Sequence, residues 1–485
     1  MTAIEDNSSS HVVRRNIIIG ALVAMLLSAL DQSIVAPALP TIGRQLGDAV
    51  YLPWVVTAYL ITATAVTPLY GKLADVHGRK RVVYAGIAIF VAGSIIAALA
   101  PTMLILILGR AVQGIGGGGL IALGQTMIAD VVSPRERGRY MGYISTMWAT
   151  ASVGGPILGG FFAEHLHWSV IFWVNLPLSL AAVLIMHRPL RHLPKGNVRR
   201  RLDITGSLLM LAGTTLLMLT LTWGGGTFPW LSVPILAMLA GAGAFALMFG
   251  WHINRIPEPL IPLDVLRNPV VASAAATLFL MIGAYTALAI YTPIYLQRVH
   301  GLSASASGLA LVGLLAGSTA GAWMTGRLMT RIRHYKRVPL IGLSTAAMVM
   351  AVIALGVDRL HLAAFELLLA IAGIGAGTLF PVATISVQNA VPQHNMGIAT
   401  AVLAFLRSLG SAIGVAVIGA IALGGGSFGG EAGPSTGDTS VGMFFAIYLS
   451  AAVIFAMAVM ALATMRELPL RTSAPLRTAS AAANE

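Results

Sequence analysis

Apolar residues in this chain come in runs of about 20 residues, and short polar segments separate the runs along most of its length. A run of that length crosses a hydrocarbon core of roughly 30 Å as an α-helix. On this pattern we predict fourteen membrane-spanning helices. They cover residues 16–38, 52–71, 82–100, 103–127, 138–162, 168–187, 204–223, 230–251, 270–296, 304–328, 338–356, 361–388, 397–424 and 442–465.

The predicted helices divide into two sets of six with an extra pair between them. Residues 16–190 form the predicted N-terminal six-helix bundle, and 269–466 form the C-terminal one. Residues 191–268 hold two linkers and two inserted helices, and the second linker is rich in proline, which cannot continue a helix. Residues 1–15 and 467–485 are predicted cytoplasmic tails, the second of them disordered. The predicted fold class is an all-α polytopic membrane protein.

Composition and charge support a membrane protein with a defined topology. The chain is 57% hydrophobic and 10% charged, with a mean hydropathy of +0.84. Its net charge of +13 comes from Lys and Arg residues concentrated in every second predicted loop. Because basic residues accumulate in short cytoplasmic loops, we predict that both termini are cytoplasmic and that the charge sets topology rather than binding nucleic acid.

Two pairs of segments repeat between the two sets of helices. GKLADVHGRKR at 71–81 is weakly similar to GRLMTRIRHYKR at 326–337, and GIGGG at 114–118 is similar to GIGAG at 373–377. The members of each pair hold corresponding positions in their sets and are separated by nearly the same number of residues. This indicates two repeated halves.

Five segments in order carry a more specific signal. They are LDQSIVAPALPTI, GKLADVHGRKR, LGRAVQGIGGG, ASVGGPILGGFF and WVNLP. Together, on a chain of this helix count, they resemble the fourteen-helix drug:proton antiporter branch of the major facilitator superfamily. The resemblance implies the major facilitator fold, with two six-helix bundles that rock around a central cavity.

The resemblance also implies gating residues in two places. The loop motif contributes Gly71, Asp75, Gly78, Arg79 and Lys80, and the fifth helix contributes Gly154, Gly155, Pro156, Gly159 and Gly160. We expect the loop to act as a latch, with Asp75 near the N-terminus of the third helix, where its charge suits the helix dipole. We expect the small residues around a kinking proline to seal the cavity between the halves. The alternatives are a charge cluster that only fixes topology and a helix packing face without a gating role. Thr330 stands where the second repeat would need Asp75, so only the first half has the full loop motif.

Asp31 and Arg110 are the candidates for proton coupling, because both are charged residues within predicted spans. An isolated carboxylate in hydrocarbon costs at least a few kcal/mol, which favours its protonated form. A guanidinium keeps its proton, so Arg110 must face a cavity, a carbonyl or an acid. In the family, the equivalent arginine is assigned to proton transfer. The alternative is structural: Asp31 neutralised by a fixed arginine, and Arg110 acting only as a hydrogen-bond donor.

Polar and aromatic residues within spans are the candidates for substrate binding. They are Asp31, Tyr59, Gln113, Tyr143, Trp148, Asn175, Tyr291 and Phe405. Arg407 lies near the start of its predicted helix, so its side chain either reaches the cytoplasmic surface or serves function. The later spans have no central carboxylate, which argues against dicationic substrates.

Other functional classes have little support. GIGGGG at 114–119 fits a dinucleotide pattern but lies inside an apolar span, and the histidines show no HExxH spacing. We therefore predict a non-enzymatic, monomeric exporter of amphipathic cationic or neutral compounds in the cell membrane. It needs no metal or cofactor, takes its energy from the proton gradient, and contacts only protons, lipids and its small-molecule substrate. The alternatives are export of an endogenous lipid or metabolite, and a membrane sensor or scaffold that does not transport.

Overall fold

The computed structural model describes residues 2–47, 51–189, 202–424 and 437–470, and this part of the chain is almost entirely α-helical. Fourteen long helices follow one another. In the first half they are α1 (Thr2–Ile34), α2 (Leu52–His77), α3 (Arg79–Ala98), α4 (Met103–Val131), α5 (Pro134–His165) and α6 (Val170–His187). The inserted pair is α7 (Ile204–Trp223) and α8 (Val233–Ile253). The second half holds α9 (Pro269–Val299), α10 (Ala306–Leu328), α11 (Arg337–Leu355), α12 (Leu362–Ala390), α13 (Met396–Gly424) and α14 (Gly437–Ala463).

Within the described residues, 13 helices are long and apolar enough to cross a membrane. The remaining long helix is α5, which is 32 residues long and occupies the position of the fifth predicted span. Its sequence is more polar because it begins with PRERGR and continues through glycine, serine and threonine. It nevertheless packs along α1 and α10 inside the bundle, so these helices cover part of its polar surface.

The repeated GIGGG and GIGAG segments mark breaks in α4 and α12. The first turns from Met103–Gly117 into Leu120–Val131, and the second from Leu362–Gly377 into Leu379–Ala390. Glycine lowers helix propensity, and it permits the close approach of neighbouring backbones that a larger side chain would prevent. The predicted repeat therefore corresponds to a shared structural feature of the two halves.

Helices pack within each half, and two helix pairs make most of the contact between the halves, with smaller contacts of α4 with α13 and of α5 with α12. α2 packs against α13, and α5 packs against α10. Both pairs contact each other's half at the same end of the molecule, where α2 and α10 end and where α5 and α13 begin. Arg79, Arg135, Arg331 and Lys336 lie at this end, which we call the basic end.

The inserted helices α7 and α8 pack against each other at the edge of the bundle, with α7 against α2 and α13. Asp203 caps α7 by accepting the Gly206 N–H at 2.7 Å, and it also accepts the Leu260 N–H and a bond from His252. The carboxylate thus holds the start of α7, the end of α8 and the second linker together.

Two predictions fall wholly or partly outside the described residues. Most of the first linker, at 190–201, and the part of the predicted disordered tail beyond residue 470 are not described. The N-terminal helix begins at Thr2, so residues 2–15 of the predicted tail are helical.

Candidate functional site

Asp31 lies in the middle of the first half, in a cluster of polar side chains from α1, α3, α4 and α6. The carboxylate accepts hydrogen bonds from Arg110 Nη1 at 2.6 Å, Gln113 Nε2 at 2.7 Å and Asn175 Nδ2 at 2.9 Å. Gln113 and Asn175 also contact the hydroxyl of Ser94 on α3. Asp31 is 0% exposed and Arg110 is 1% exposed. Three donors, of which Arg110 is also the counter-charge, offset the cost of burying this carboxylate.

The guanidinium of Arg110 is held on several sides. Its Nε donates to the carbonyl oxygen of Val55 at 2.9 Å. The ring of Tyr59 lies 4.5 Å from its central carbon, and the ring of Phe172 lies 5.8 Å away. Tyr59 in turn shares a hydrogen bond of 3.1 Å with Ser28. The arginine is therefore positioned by α2 and α6 as well as by the acid.

This arrangement matches the structural alternative for Asp31 in the conformation described. The acid has a guanidinium partner, and Tyr59, Gln113 and Asn175 are buried around it at 1%, 0% and 1% exposure. These three predicted substrate contacts therefore belong to a closed cluster and do not line an open cavity here. A role in proton coupling requires a second conformation in which the acid reaches water.

Asp75 connects the two halves at the basic end. Its carboxylate accepts the backbone N–H groups of Gly397 at 3.2 Å and Ile398 at 2.9 Å, at the N-terminus of α13. It also forms an ion pair with Arg79, whose Nε donates to Asp130 at 3.2 Å. A helix N-terminus attracts negative charge. Asp75 thus lies beside the start of α3, where it pairs with Arg79, and it also caps α13 of the other half, because the end of α2 lies against the start of α13.

The other residues of the loop motif have separate places. A β-carbon on Gly71 would lie 2.7 Å from the Gly397 carbonyl oxygen, so this glycine lets α2 and α13 touch. Gly78 has φ of 86° between α2 and α3, a conformation that favours glycine. Lys80 extends over the ring of Tyr84 at 5.9 Å and takes no part in the ion-pair network.

A second contact between the halves repeats the first with different chemistry. β-Carbons on Gly138 of α5 and Gly326 of α10 would each lie 2.2 Å from the other residue's carbonyl oxygen. Arg135 donates to the Thr330 carbonyl oxygen at 3.1 Å, and Arg137 donates to Gln388 at 3.4 Å. At the first contact, the group that accepts hydrogen bonds from the other half is the Asp75 carboxylate. At the second contact, it is the backbone carbonyl of Thr330.

The glycines around Pro156 on α5 face two directions. A β-carbon on Gly155 would lie 2.0 Å from Ser33 Oγ, and one on Gly159 would lie 2.0 Å from the Ile34 carbonyl oxygen. Gly154 and Gly160 have nothing within 4 Å of that position. The close contacts are therefore with α1 of the same half, and the gating role expected between the halves stays a prediction.

The remaining predicted substrate contacts are dispersed. Tyr143 is 48% exposed, and Tyr291 donates to the Val415 carbonyl oxygen at 3.1 Å within the second half. Phe405 is half-buried on α13. Trp148 is half-buried on α5, with the Arg407 guanidinium 5.2 Å from its ring centroid. Through this ring contact, Trp148 meets a residue of the other half.

Sequence reasoning missed Ser94, Asp130 and the Gly138–Gly326 contact. No motif in the sequence marks Ser94 or Asp130 as functional. The packing of α3 and α4 brings Ser94 to the Asp31 cluster and Asp130 to the Asp75–Arg79 ion pair. The repeat did contain a signal for Gly326, since this residue aligns with Gly71.

Residues 21–415 match the family model for the Major Facilitator Superfamily. Among relatives, the chain is 30% identical over 407 residues to multidrug resistance protein 3 of Bacillus subtilis, covering 84% of this chain and 79% of that protein. It is 32% identical to the multidrug transporter protein MdtP of the same organism, covering 84% and 75%. An uncharacterised MFS-type transporter of Mycobacterium tuberculosis is 35% identical over 84% of this chain, which spans 60% of that relative's length.

Two solved structures share the fold at low sequence identity. The human organic anion transporter MFSD10 superposes with a TM-score of 0.65 at 16% identity, covering 93% of this chain and 99% of that one. The proton:xylose symporter XylE superposes with a TM-score of 0.63 at 13% identity, covering 96% and 98%.

Proposed function

The chain belongs to the major facilitator superfamily, and on that premise we propose that it is a proton-coupled antiporter that exports amphipathic organic compounds by alternating access. Relatives named a multidrug resistance protein and a multidrug transporter, at 30% and 32% identity, support an exporter. The range of compounds proposed from the sequence covers drugs and dyes that are cationic or neutral.

The ion pair between Asp31 and Arg110 carries the proposal of proton coupling. Both side chains are buried among apolar helices, and only the carboxylate exchanges a proton readily. Protonation of Asp31 removes the negative charge of the carboxylate and with it most of the attraction to Arg110. Arg110 keeps its hydrogen bonds to Gln113 and the Val55 carbonyl. The two states of the acid therefore favour different packing of α1 against α4. We propose that this difference links proton binding to the opening of the pair.

The contacts at the basic end support a rocking mechanism. Asp75 with α13, and Gly138 with Gly326, close that end in the conformation described. With the basic end on the cytoplasmic side, as the charge pattern predicts, this conformation is closed toward the cytoplasm. Breaking both contacts would open the central space to that side.

Under the same proposal, the protein works as a monomer in the cell membrane and uses the proton gradient as its only energy source. Export of an endogenous lipid or metabolite would use the same machinery. A sensor or scaffold would keep the fold without moving any compound.

The test is an efflux panel of dyes and drugs in cells that express the chain and in cells with the empty vector, each with and without an uncoupler. We expect lower accumulation of at least one compound in expressing cells, and loss of that difference with the uncoupler, because the gradient drives export. Equal accumulation of the whole panel in both cell lines, at confirmed membrane expression, would support a scaffold. Export that persists with the uncoupler would contradict proton coupling.

A further inference from the structure

Arg407 is a charged residue deep in the second half. It lies about 16 Å along α13 from the first residue of the helix, Met396, at 1.5 Å per residue. That is deeper than the sequence suggested, and the side chain does not extend back to the basic end, since its guanidinium lies over the ring of Trp148. Snorkelling therefore does not explain this arginine.

The face of α13 that carries Arg407 points into the bundle. Thr400 and Ile418 share that face and are 1% and 0% exposed. Gly414, two turns beyond Arg407, is packed so closely on α9 that a β-carbon there would lie 2.2 Å from the Gly283 Cα. Arg407 is half-buried, as are Ala404 and Ser411, which lie one turn before it and one turn after it on the same face. Because the guanidinium lies over the Trp148 ring of the other half, this half-buried stretch faces a space between the halves and not the lipid.

Trp148 has the same character on α5. Met141 and Ala151 share its face and are 5% and 1% exposed, and Gly155 on that face packs against Ser33. Trp148 itself is half-buried, and Ser152, one turn further along the same face, is exposed. Because α5 packs on α1 and α10 whereas α13 packs on α2 and α9, the contact between Arg407 and Trp148 crosses the centre of the molecule.

The charge of Arg407 is uncompensated within the described residues. Arg110 is paired with Asp31, and Arg79 is paired with Asp75 and Asp130. No described residue offers Arg407 a carboxylate or a hydrogen-bond acceptor, and the Trp148 ring supplies only its π-face. A guanidinium has five N–H donors in a planar fork that matches an oxyanion.

We propose that Arg407 and Trp148 form a binding site for an amphipathic organic anion. The carboxylate of the ligand would accept two hydrogen bonds from the guanidinium, and its aromatic body would lie against the indole ring. This inference rests on the proposed function for transport, and it departs from it in substrate class, because it assigns anionic compounds where the sequence suggested cationic or neutral ones. A positive charge at the centre of a low-dielectric space repels cations.

The test compares three probes that share one ring system and chain: 1-pyrenebutyrate, its primary amide and 1-pyrenebutylamine. Binding is measured by fluorescence with the purified full chain in phosphatidylcholine nanodiscs, and binding to empty nanodiscs is subtracted. We expect the butyrate to bind about tenfold or more tightly than the amide, because only the butyrate forms a charge-assisted pair, and the amine to bind most weakly. A repeat with phosphatidylglycerol added shows whether an anionic lipid competes for the site.

Two variants locate the effect. Arg407→Gln should abolish the preference for the butyrate while leaving amide binding unchanged, and Arg407→Lys should keep part of the preference because it keeps the charge. Arg359→Gln is the matched control, since this arginine lies on the surface with its side chain 86% exposed, and it should bind all three probes as the wild type does. If Arg407→Gln fails to fold, the order of affinities of the three probes for the wild-type chain still tests the preference for an anion.

Equal binding of butyrate and amide to the wild type, or tightest binding of the amine, would overturn the anion site. So would a butyrate preference that survives in Arg407→Gln. Displacement of the butyrate by phosphatidylglycerol alone would identify a lipid as the ligand and contradict a substrate site. Binding and transport separate the two proposals: uncoupler-sensitive efflux of cations would leave the proposed function intact, and an Arg407-dependent anion site without such efflux would leave only the binding site.

Discussion

At the scale of single residues, Asp75 has the most clearly defined task. One side-chain carboxylate satisfies two backbone N–H groups at the start of α13 and pairs with Arg79 of its own half. Unpaired N–H groups at a buried helix N-terminus are costly, and negative charge there is favourable by up to about 1 kcal/mol. The residue therefore stabilises the closed basic end more than an uncharged side chain of the same shape would.

Asp75→Asn should loosen the closed basic end, because the amide lacks the charge and has one acceptor oxygen where two N–H groups need partners. The chain has no cysteine, so a single Ala401→Cys beside Gly71 reports on access to this contact. We expect maleimide to label that cysteine several-fold faster in the Asp75→Asn background. Asp264→Asn, in an exposed acid of the second linker, serves as the control. Equal labelling rates in both backgrounds would show that Asp75 does not hold the basic end closed.

The sequence could identify the residues of the Asp31 cluster but not their arrangement. Asp31, Arg110 and Gln113 are conspicuous because they are polar within apolar spans. Whether such side chains meet each other or line a cavity depends on the rotation of each helix about its axis, and the helices here are apolar on several sides. For this reason Gln113 was expected in a substrate cavity, and the structure places it as a buried bridge between Asp31, Arg110 and Ser94.

At the scale of helices, α5 has two packing faces. Gly155 and Gly159 allow contact with α1, and Gly138 allows contact with α10 of the other half. Small residues let backbones approach where lipid offers no hydrophobic drive for association. α5 is thus fixed to its own half along one stretch and touches the other half at the basic end.

Gly159→Ala should lower the thermal stability of the purified protein, since the new methyl group would lie 2.0 Å from the Ile34 carbonyl oxygen and force α5 away from α1. Gly160→Ala makes the same substitution one residue further, where nothing lies within 4 Å, and should be neutral or stabilising by up to about 1 kcal/mol through helix propensity. Thermal unfolding in detergent compares the two. A melting temperature for Gly159→Ala at or above that of Gly160→Ala would contradict the packing described for α5.

The sequence predicted the helices well because the length of an apolar run is a strong signal. It predicted a helix at 138–162, the position of α5, from the same apolar-run signal, although α5 is not among the 13 helices that are apolar by composition alone. The breaks in α4 and α12 were visible only as glycine repeats, because glycine permits either a continuous or a broken helix. The contacts between helices at the basic end follow from packing and were not available from the pattern.

At the scale of the whole molecule, the two halves touch at the basic end. They also meet at the centre of the molecule, through Arg407 and Trp148. The inserted pair is connected to the same region, since Lys72 next to Gly71 donates to the Pro259 carbonyl oxygen of the second linker at 3.0 Å. Under the proposed mechanism, a rocking motion breaks the contacts at the basic end while each half moves as a unit. The ion pair of Asp31 lies wholly within the first half, so its opening requires α1 to shift against α4 during that motion.

The most direct test of this account follows substrate and lumenal pH together in proteoliposomes, using a compound that the efflux panel identifies. For the wild type, we expect an imposed pH gradient to drive accumulation of the compound and protons to move in the opposite direction. Asp31→Asn should abolish both while retaining exchange of the compound without a gradient, because the binding space and the closed contacts remain. Asp358→Asn, in an exposed loop, should behave as the wild type. Gradient-driven accumulation by Asp31→Asn at the wild-type level would show that this acid is a structural member of the ion pair and not the proton carrier.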